Sequence, residues 1–190
     1  LSNLTTVGGY LWISDNDALT SLDGLSNVTT VGNNLEIGYN DALTSLDGLS
    51  SLTTVGGYLW ISDNAALTSL DLPALASVGW YLHIHNNAAL TSLDLPGLTS
   101  VVYWLYISDN GALTSIDLPD LASVVDYLWI HDNDALTSLS GLSNLASVGG
   151  YLRIAENDCL SQPEADSFAA GITVGGGVDV YDNGDNYPCP

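Results

Sequence analysis

The sequence has no lysine, and its single cation is Arg153, set against 22 acidic residues. A surface of that sign repels phosphate backbones, which excludes nucleic acid as a partner. An anionic membrane surface is disfavoured for the same reason. No apolar run reaches membrane-spanning length, so no membrane insertion is expected. The equipment of catalysis is scarce as well. There is no glycine-rich phosphate loop, and no serine has a histidine and an aspartate fixed near it by spacing. Carboxylates that could pair for sugar hydrolysis recur along the whole chain, so none stands out. The chain therefore reads as a non-enzyme without a cofactor. Cysteine is limited to Cys159 and Cys189. They read as a disulfide tying down the C-terminal end, with two free buried thiols as the alternative. A disulfide implies an oxidising compartment. Charged residues make up only 12% of the chain. The polar surface must then be mostly Ser, Thr, Asn and Gly, which is the look of an extracellular protein, secreted or at the cell surface. Leu1 already stands inside a repeat, which reads as a mature or trimmed chain.

What the chain does have is a period. The phrase Tyr58-Leu59-Trp60-Ile61-Ser62-Asp63-Asn64 returns, worn to different degrees, with its final asparagine at 16, 40, 64, 87, 110, 133, 157 and 183. The spacings are 24, 24, 23, 23, 23, 24 and 26 residues. A fixed period of that size is the signature of a solenoid. Within a unit, Leu11 and Ile13 alternate with Tyr10, Trp12 and Ser14, the pattern of a strand with one buried face. Columns such as Val31, Val55, Val78 and Leu43, Leu67, Leu90 stack into one apolar core that no unit could bury alone. The asparagine column predicts a buried ladder of side-chain bonds at the turn.

The motif Leu11-x-Ile13-x-x-Asn16, followed by Leu19-x-x-Leu22, resembles the leucine-rich repeat, in particular the receptor L-domain-like variety of bacterial secreted and surface proteins. The resemblance covers about residues 1–160. It implies an all-β, right-handed parallel β-solenoid of about eight rungs and an extracellular recognition role, and it implies no reaction. One departure is that Gly8, Gly32, Gly56, Gly79, Val102, Val125 and Gly149 stand where the common repeat has leucine. That favours a flatter, β-helix-like coil over a deep horseshoe. The 24-residue units turn a corner with Asp-Gly-Leu or Ser-Gly-Leu, and the 23-residue units with Asp-Leu-Pro. The three proline corners are consecutive, so the middle is a distinct block. Residues 161–190 read as a cap: a short helix from Ser161 through about Ala170, a last rung and the disulfide.

The outward columns hold the candidate site. The first runs Tyr10, Asn34, Tyr58, Tyr81, Trp104, Tyr127, Tyr151; the second runs Trp12, Glu36, Trp60, His83, Tyr106, Trp129, Arg153; the third runs Ser14, Gly38, Ser62, His85, Ser108, His131, Ala155. Ten of the chain's sixteen aromatics fall in these columns. A strip of exposed rings that long exceeds what a monomer shows without reason. The expected ligand is a neutral polysaccharide, its sugar rings stacked on aromatic faces. The site is placed on Tyr58, Trp60, Trp80, Tyr81, His83, His85, Trp104, Tyr106, Tyr127, Trp129 and His131. Asp63, Asn86, Asp109 and Asp132 flank it as partners for hydroxyls. A purely stabilising ring ladder and a protein contact are the competing readings. The alternative role is a structural subunit of a surface filament or adhesive layer, built by self-association. No metal site is assigned, because His83, His85 and His131 span two rungs, about 9.6 Å. The acidic turns, including Asp182-Asn183-Gly184-Asp185, match no calcium-loop spacing. The rank Thr44, Thr68, Thr91, Thr114 is expected to form bends rather than a flat binding face.

Overall fold

The computed structural model describes residues 3–184 and Cys189, so the expectations for Leu1 and Asp185 lie outside the described residues. Eight rungs stack into a parallel β-solenoid. The principal sheet holds the phrase strands, among them Leu11–Ser14, Leu59–Ser62, Leu82–His85, Trp104–Ser108, Tyr127–His131 and Val178–Tyr181. Every neighbouring pair is parallel and in unshifted register, so Leu59 faces Leu82 and Trp60 faces His83. Leucine and isoleucine of each strand point inward and are fully buried from the second rung to the seventh, while their neighbours point out. A second eight-stranded sheet runs along another side. Its strands are only two residues long, Thr6–Val7, Thr30–Val31, Ser77–Val78 and their repeats. The sequence marks these as apolar spacing and not as strands, because two residues carry no alternation to read.

The corner chemistry divides the solenoid as expected. Asp23–Leu25, Asp47–Leu49 and Ser140–Leu142 form 3-10 turns. In the three proline-cornered rungs the chain instead runs extended, and Ser69–Asp71, Ser92–Asp94 and Ser115–Asp117 form a third parallel sheet. The threonine rank therefore leads into strands in the middle block, where a bend was expected. Its hydroxyls donate to the carbonyl one rung back, as from Thr91 to Thr68 at 2.9 Å and from Thr114 to Thr91 at 3.0 Å. The same register stacks Asp71, Asp94 and Asp117 directly on one another. Burial, followed by the charges of Asp71 and Asp117, holds the Asp94 carboxyl above its ordinary pKa, and its Oδ1 is buried without a hydrogen-bond partner among the described residues.

The asparagine ladder fixes the rungs to one another. From Asn40 to Asn183 these side chains are completely buried. Asn87 shows the pattern. Its Nδ2 donates to the His85 carbonyl at 3.0 Å and to the Ile61 carbonyl of the rung before at 3.1 Å. Its Oδ1 accepts from the Asn64 backbone N–H at 3.2 Å. Its Nδ2 also meets the Asn110 Oδ1 of the next rung at 3.3 Å, so the carboxamide ties three successive rungs. The residue before each asparagine has a left-handed backbone, with φ of 53 to 57° at Asp15, Tyr39, Asp63, Asn86, Asp109, Asp132, Glu156 and Asp182. Six of those eight are Asp or Asn, the side chains that enter this region most readily. That kink ends the strand and swings the asparagine into the core.

The cap forms from Ser161, whose hydroxyl accepts from the Glu164 N–H, and the helix spans Gln162–Gly171. Gln162 finishes the ladder: its Oε1 accepts from the Asn183 N–H at 3.1 Å and from its Nδ2 at 3.2 Å, as a ninth asparagine would. Ala165 and Phe168 pack on the core. Cys159 and Cys189 form a disulfide with Cα atoms 5.3 Å apart. No helix among the described residues is long and apolar enough to cross a membrane.

Asn87→Ala takes a donor from the Ile61 and His85 carbonyls and the acceptor from the Asn64 N–H in the core, and should cost about 3 kcal/mol in urea denaturation. Asn16→Ala removes an exposed terminal member and should cost under about 1 kcal/mol. The raised Asp94 pKa means that ionising this group opposes folding, so its penalty grows as pH rises above the ordinary carboxylate range. Asp94→Asn should therefore raise Tm at pH 7 and have little effect near pH 3.

Candidate functional site: an aromatic sheet face

The principal sheet places the outward residues in three parallel files. In the first, Tyr58 stacks on Tyr81 with centroids 4.9 Å apart and planes 7° from parallel. Tyr81 to Trp104 is 5.8 Å at 25°, and Trp104 to Tyr127 is 5.9 Å at 43°. The second file is packed edge to face: Trp60 on His83 at 4.1 Å, and His83 on Tyr106 at 4.3 Å. Strand register thus brings nine of the predicted residues into one contiguous array: Tyr58, Trp60, Tyr81, His83, His85, Trp104, Tyr106, Tyr127 and Trp129. His131 joins it through Tyr106, with ring centroids 5.1 Å apart. Trp80 stands 52% exposed on the bend between the two large sheets and makes no ring contact with another described residue.

The array is not uniform. Where rings stack in parallel along the solenoid axis, each covers its neighbour's face and offers solvent only an edge. That is the case between Tyr58 and Tyr81, although Tyr58 is covered in this way on one face only. Toward rungs five and six the rings tilt apart, and Trp104, Leu105, Tyr106, Tyr127 and Trp129 line a small apolar cleft of about 80 Å³. Trp104 is 47% exposed, and its indole N–H donates to Asp126 at 3.2 Å. Here the strands also begin one residue earlier than in other rungs, at Trp104 and Tyr127. Val102 and Val125 explain this. In the glycine rungs the backbone passes so close to the rung before that a Cβ at Gly56 or Gly79 would strike its carbonyl. Valine carries the Cβ that this close approach excludes, and the two valine rungs are those whose strands start early.

The histidines divide. His83 and His85 stack on each other at 4.5 Å and lie against Trp60, and the Nε2 atom of each is buried without a hydrogen-bond partner among the described residues. They are part of the ring packing and not of an open rim. Burial above all, helped by His85 and His131 and opposed by Asp109, lowers the His83 pKa to about 4. His131 is different: Nε2 meets the Tyr106 hydroxyl at 2.8 Å and Nδ1 meets the Asp132 carboxylate. His131, Asp132 and Glu156 also bring potential ligand atoms within 4.8 Å of one another, a grouping the histidine spacing did not reveal. Glu156 is shared there with Arg153, 3.5 Å away. Of the flanking polar groups, Asn86 donates to Asp63 across neighbouring turns.

A wider hollow lies at the other end of the face, lined by Tyr10, Leu11, Trp12, Asn34, Glu36 and Tyr58. The sequence shows it only as an interruption of the aromatic columns.

No family model, no curated protein and no solved structure matches the chain. The resemblance to leucine-rich repeats therefore rests on the repeat columns themselves.

In the folded chain His83 stays neutral down to about pH 4, whereas unfolded it takes up a proton near 6.5. Proton uptake then favours the unfolded state, and stability falls as pH drops from about 6.5 to 4. His83→Phe should remove about 1 to 2 kcal/mol of that loss, after discounting for the ring's partial exposure. Thermal unfolding of both proteins at half-unit steps from pH 7 to 4 checks this, and parallel curves would refute it.

Proposed function

We propose that the protein is a non-enzymatic, extracellular recognition module of the leucine-rich-repeat kind that binds neutral polysaccharide on its aromatic sheet face. The observation that carries this reading is the cleft at rungs five and six, where four tilted rings form an apolar trough on an otherwise acidic molecule. Sugar rings have apolar faces that stack on indole and phenol, and a neutral glycan is indifferent to the negative field. Trp104, Tyr106, Tyr127 and Trp129 supply the stacking surface. Asp126 orients the Trp104 indole, and the polar pair His131–Asp132 stands beside the trough for hydroxyl groups. Tyr58, Trp60, Tyr81, His83 and His85 support the trough from one side more than they contact its ligand, since the faces they turn toward one another are covered. The disulfide fits an oxidising compartment.

Tryptophan fluorescence during titration with soluble glucans, xylans and mannans tests the reading, with light scattering on the same samples. A saturable shift should appear with at least one of them. Trp129→Ala and Tyr106→Ala should each weaken it tenfold or more, about 1.4 kcal/mol. No shift with any glycan, together with large particles in buffer alone, would replace this reading with a structural subunit that self-associates end to end or side to side.

A further inference from the structure

The second rung breaks both aromatic files, and the break has a definite shape. The first file reads Tyr10, Asn34, Tyr58 across it, and the second reads Trp12, Glu36, Trp60. Asn34 does not fill the place of the missing ring. Its side chain turns back into the fold, 9% exposed, and its Oδ1 accepts from the Tyr58 backbone N–H at 3.1 Å. Gly57 permits this, since a Cβ there would collide with that oxygen. The result is a slot of about 430 Å³, more than five times the cleft at rungs five and six. Tyr10 and Trp12 stand 68% and 70% exposed on one side. On the other side Tyr58 covers one face with Tyr81, which leaves its opposite face toward the vacant rung.

The dimensions select the occupant. Rings two rungs apart are separated by about 9.6 Å, so a group midway lies about 4.8 Å from each. That is inside the roughly 6 Å over which a ring face holds a cation. A flat guanidinium or a further aromatic ring is one layer thick and touches a single wall. A tetrahedral alkylammonium is as thick as it is wide and reaches both. Glu36 lines the same slot, with its Oε2 held by the Tyr58 hydroxyl at 3.3 Å, and supplies the counter-charge. The net charge of −21 draws cations toward the surface.

We propose that this slot binds a quaternary alkylammonium group of the trimethylammonium type, held between Tyr10, Trp12 and Tyr58 with Glu36 as its counter-ion. The site lies at rungs one to three and does not depend on the glycan reading, which concerns rungs five and six.

Choline chloride is the probe, titrated by calorimetry and by following the Trp12 indole N–H in ¹⁵N–¹H spectra at constant ionic strength. The control is 3,3-dimethylbutan-1-ol, which has the same shape with carbon in place of the charged nitrogen. Choline should give a saturable shift of the Trp12 signal, and the neutral isostere should bind at least tenfold more weakly. Glu36→Gln and Trp12→Ala should each weaken choline at least tenfold, the second without changing the net charge. Trp129→Ala should leave choline binding unchanged while weakening glycan binding tenfold or more, which separates the two readings. Far-UV circular dichroism of each variant excludes loss of the fold. The proposal is overturned if choline fails to saturate, if the isostere binds equally, or if neither substitution in the slot matters. Sedimentation with phosphatidylcholine vesicles separates the sources. Pelleting lost in Trp12→Ala assigns the cation to a lipid headgroup, and choline binding without pelleting assigns it to a free solute.

Discussion

A carboxamide buried every 23 or 24 residues holds this molecule together. An asparagine side chain in a dry core must find partners for two donors and an acceptor; its own strand offers one carbonyl, and a neighbouring rung in fixed register provides the rest. The ladder from Asn16 to Asn183 therefore does more than add hydrogen bonds. It forbids slippage, because a shift of one residue would leave a column of amides unsatisfied and turn every leucine outward. All that the outer face displays follows from that fixed register. Trp104 lies beside Tyr127, and Tyr10 lies two steps from Tyr58, because their asparagines are locked.

Against this constant ladder the corners vary. Removing one residue and placing proline at Pro73, Pro96 and Pro119 changes a 3-10 turn into a strand and creates the third sheet over three rungs only. The aromatic array is densest on the same three rungs and the one after. A flank paired on a further side resists twisting of each rung relative to the next. The rings of these rungs are thus carried on the part of the coil that is paired on three sides, while the second rung lies just outside it.

Most of the architecture was legible because a repeat amplifies weak signals. One Leu-x-Ile means little, but seven in step define a buried strand, and eight asparagines define the ladder. The helix start at Ser161 was readable from its capping chemistry. The strands of two and three residues were not, since Thr30–Val31 or Ser92–Asp94 is too short to show alternation. The left-handed residue before each asparagine was also hidden, because Tyr39 and Glu156 occupy it in two rungs and give no hint of such a backbone. At the candidate site the columns were legible but the angles of the rings were not. Whether an aromatic shows a face or an edge is settled by packing between rungs. Hence Tyr81, His83 and His85 prove to be covered, Tyr58 keeps one open face, and a wide slot appears where the columns merely lapse.

The kinked turns have an electrostatic consequence. They line Asp15, Asp63, Asp109, Asp132, Glu156 and Asp182 along one edge, with Asp17, Asp41, Asp134 and Asp158 just beyond. Rungs about 4.8 Å apart put adjacent unit charges at roughly 0.9 kcal/mol of mutual repulsion in water, more than thermal energy. Asp134 registers it: burial first, then the charges of Asp158, Asp132 and Asp109, hold its proton more tightly than usual. Apart from the guanidinium of Arg153 beside Glu156, the edge has no cation of its own. It behaves as a short polyelectrolyte that gathers mobile cations from solution, and the ionic atmosphere becomes a working component of the folded molecule.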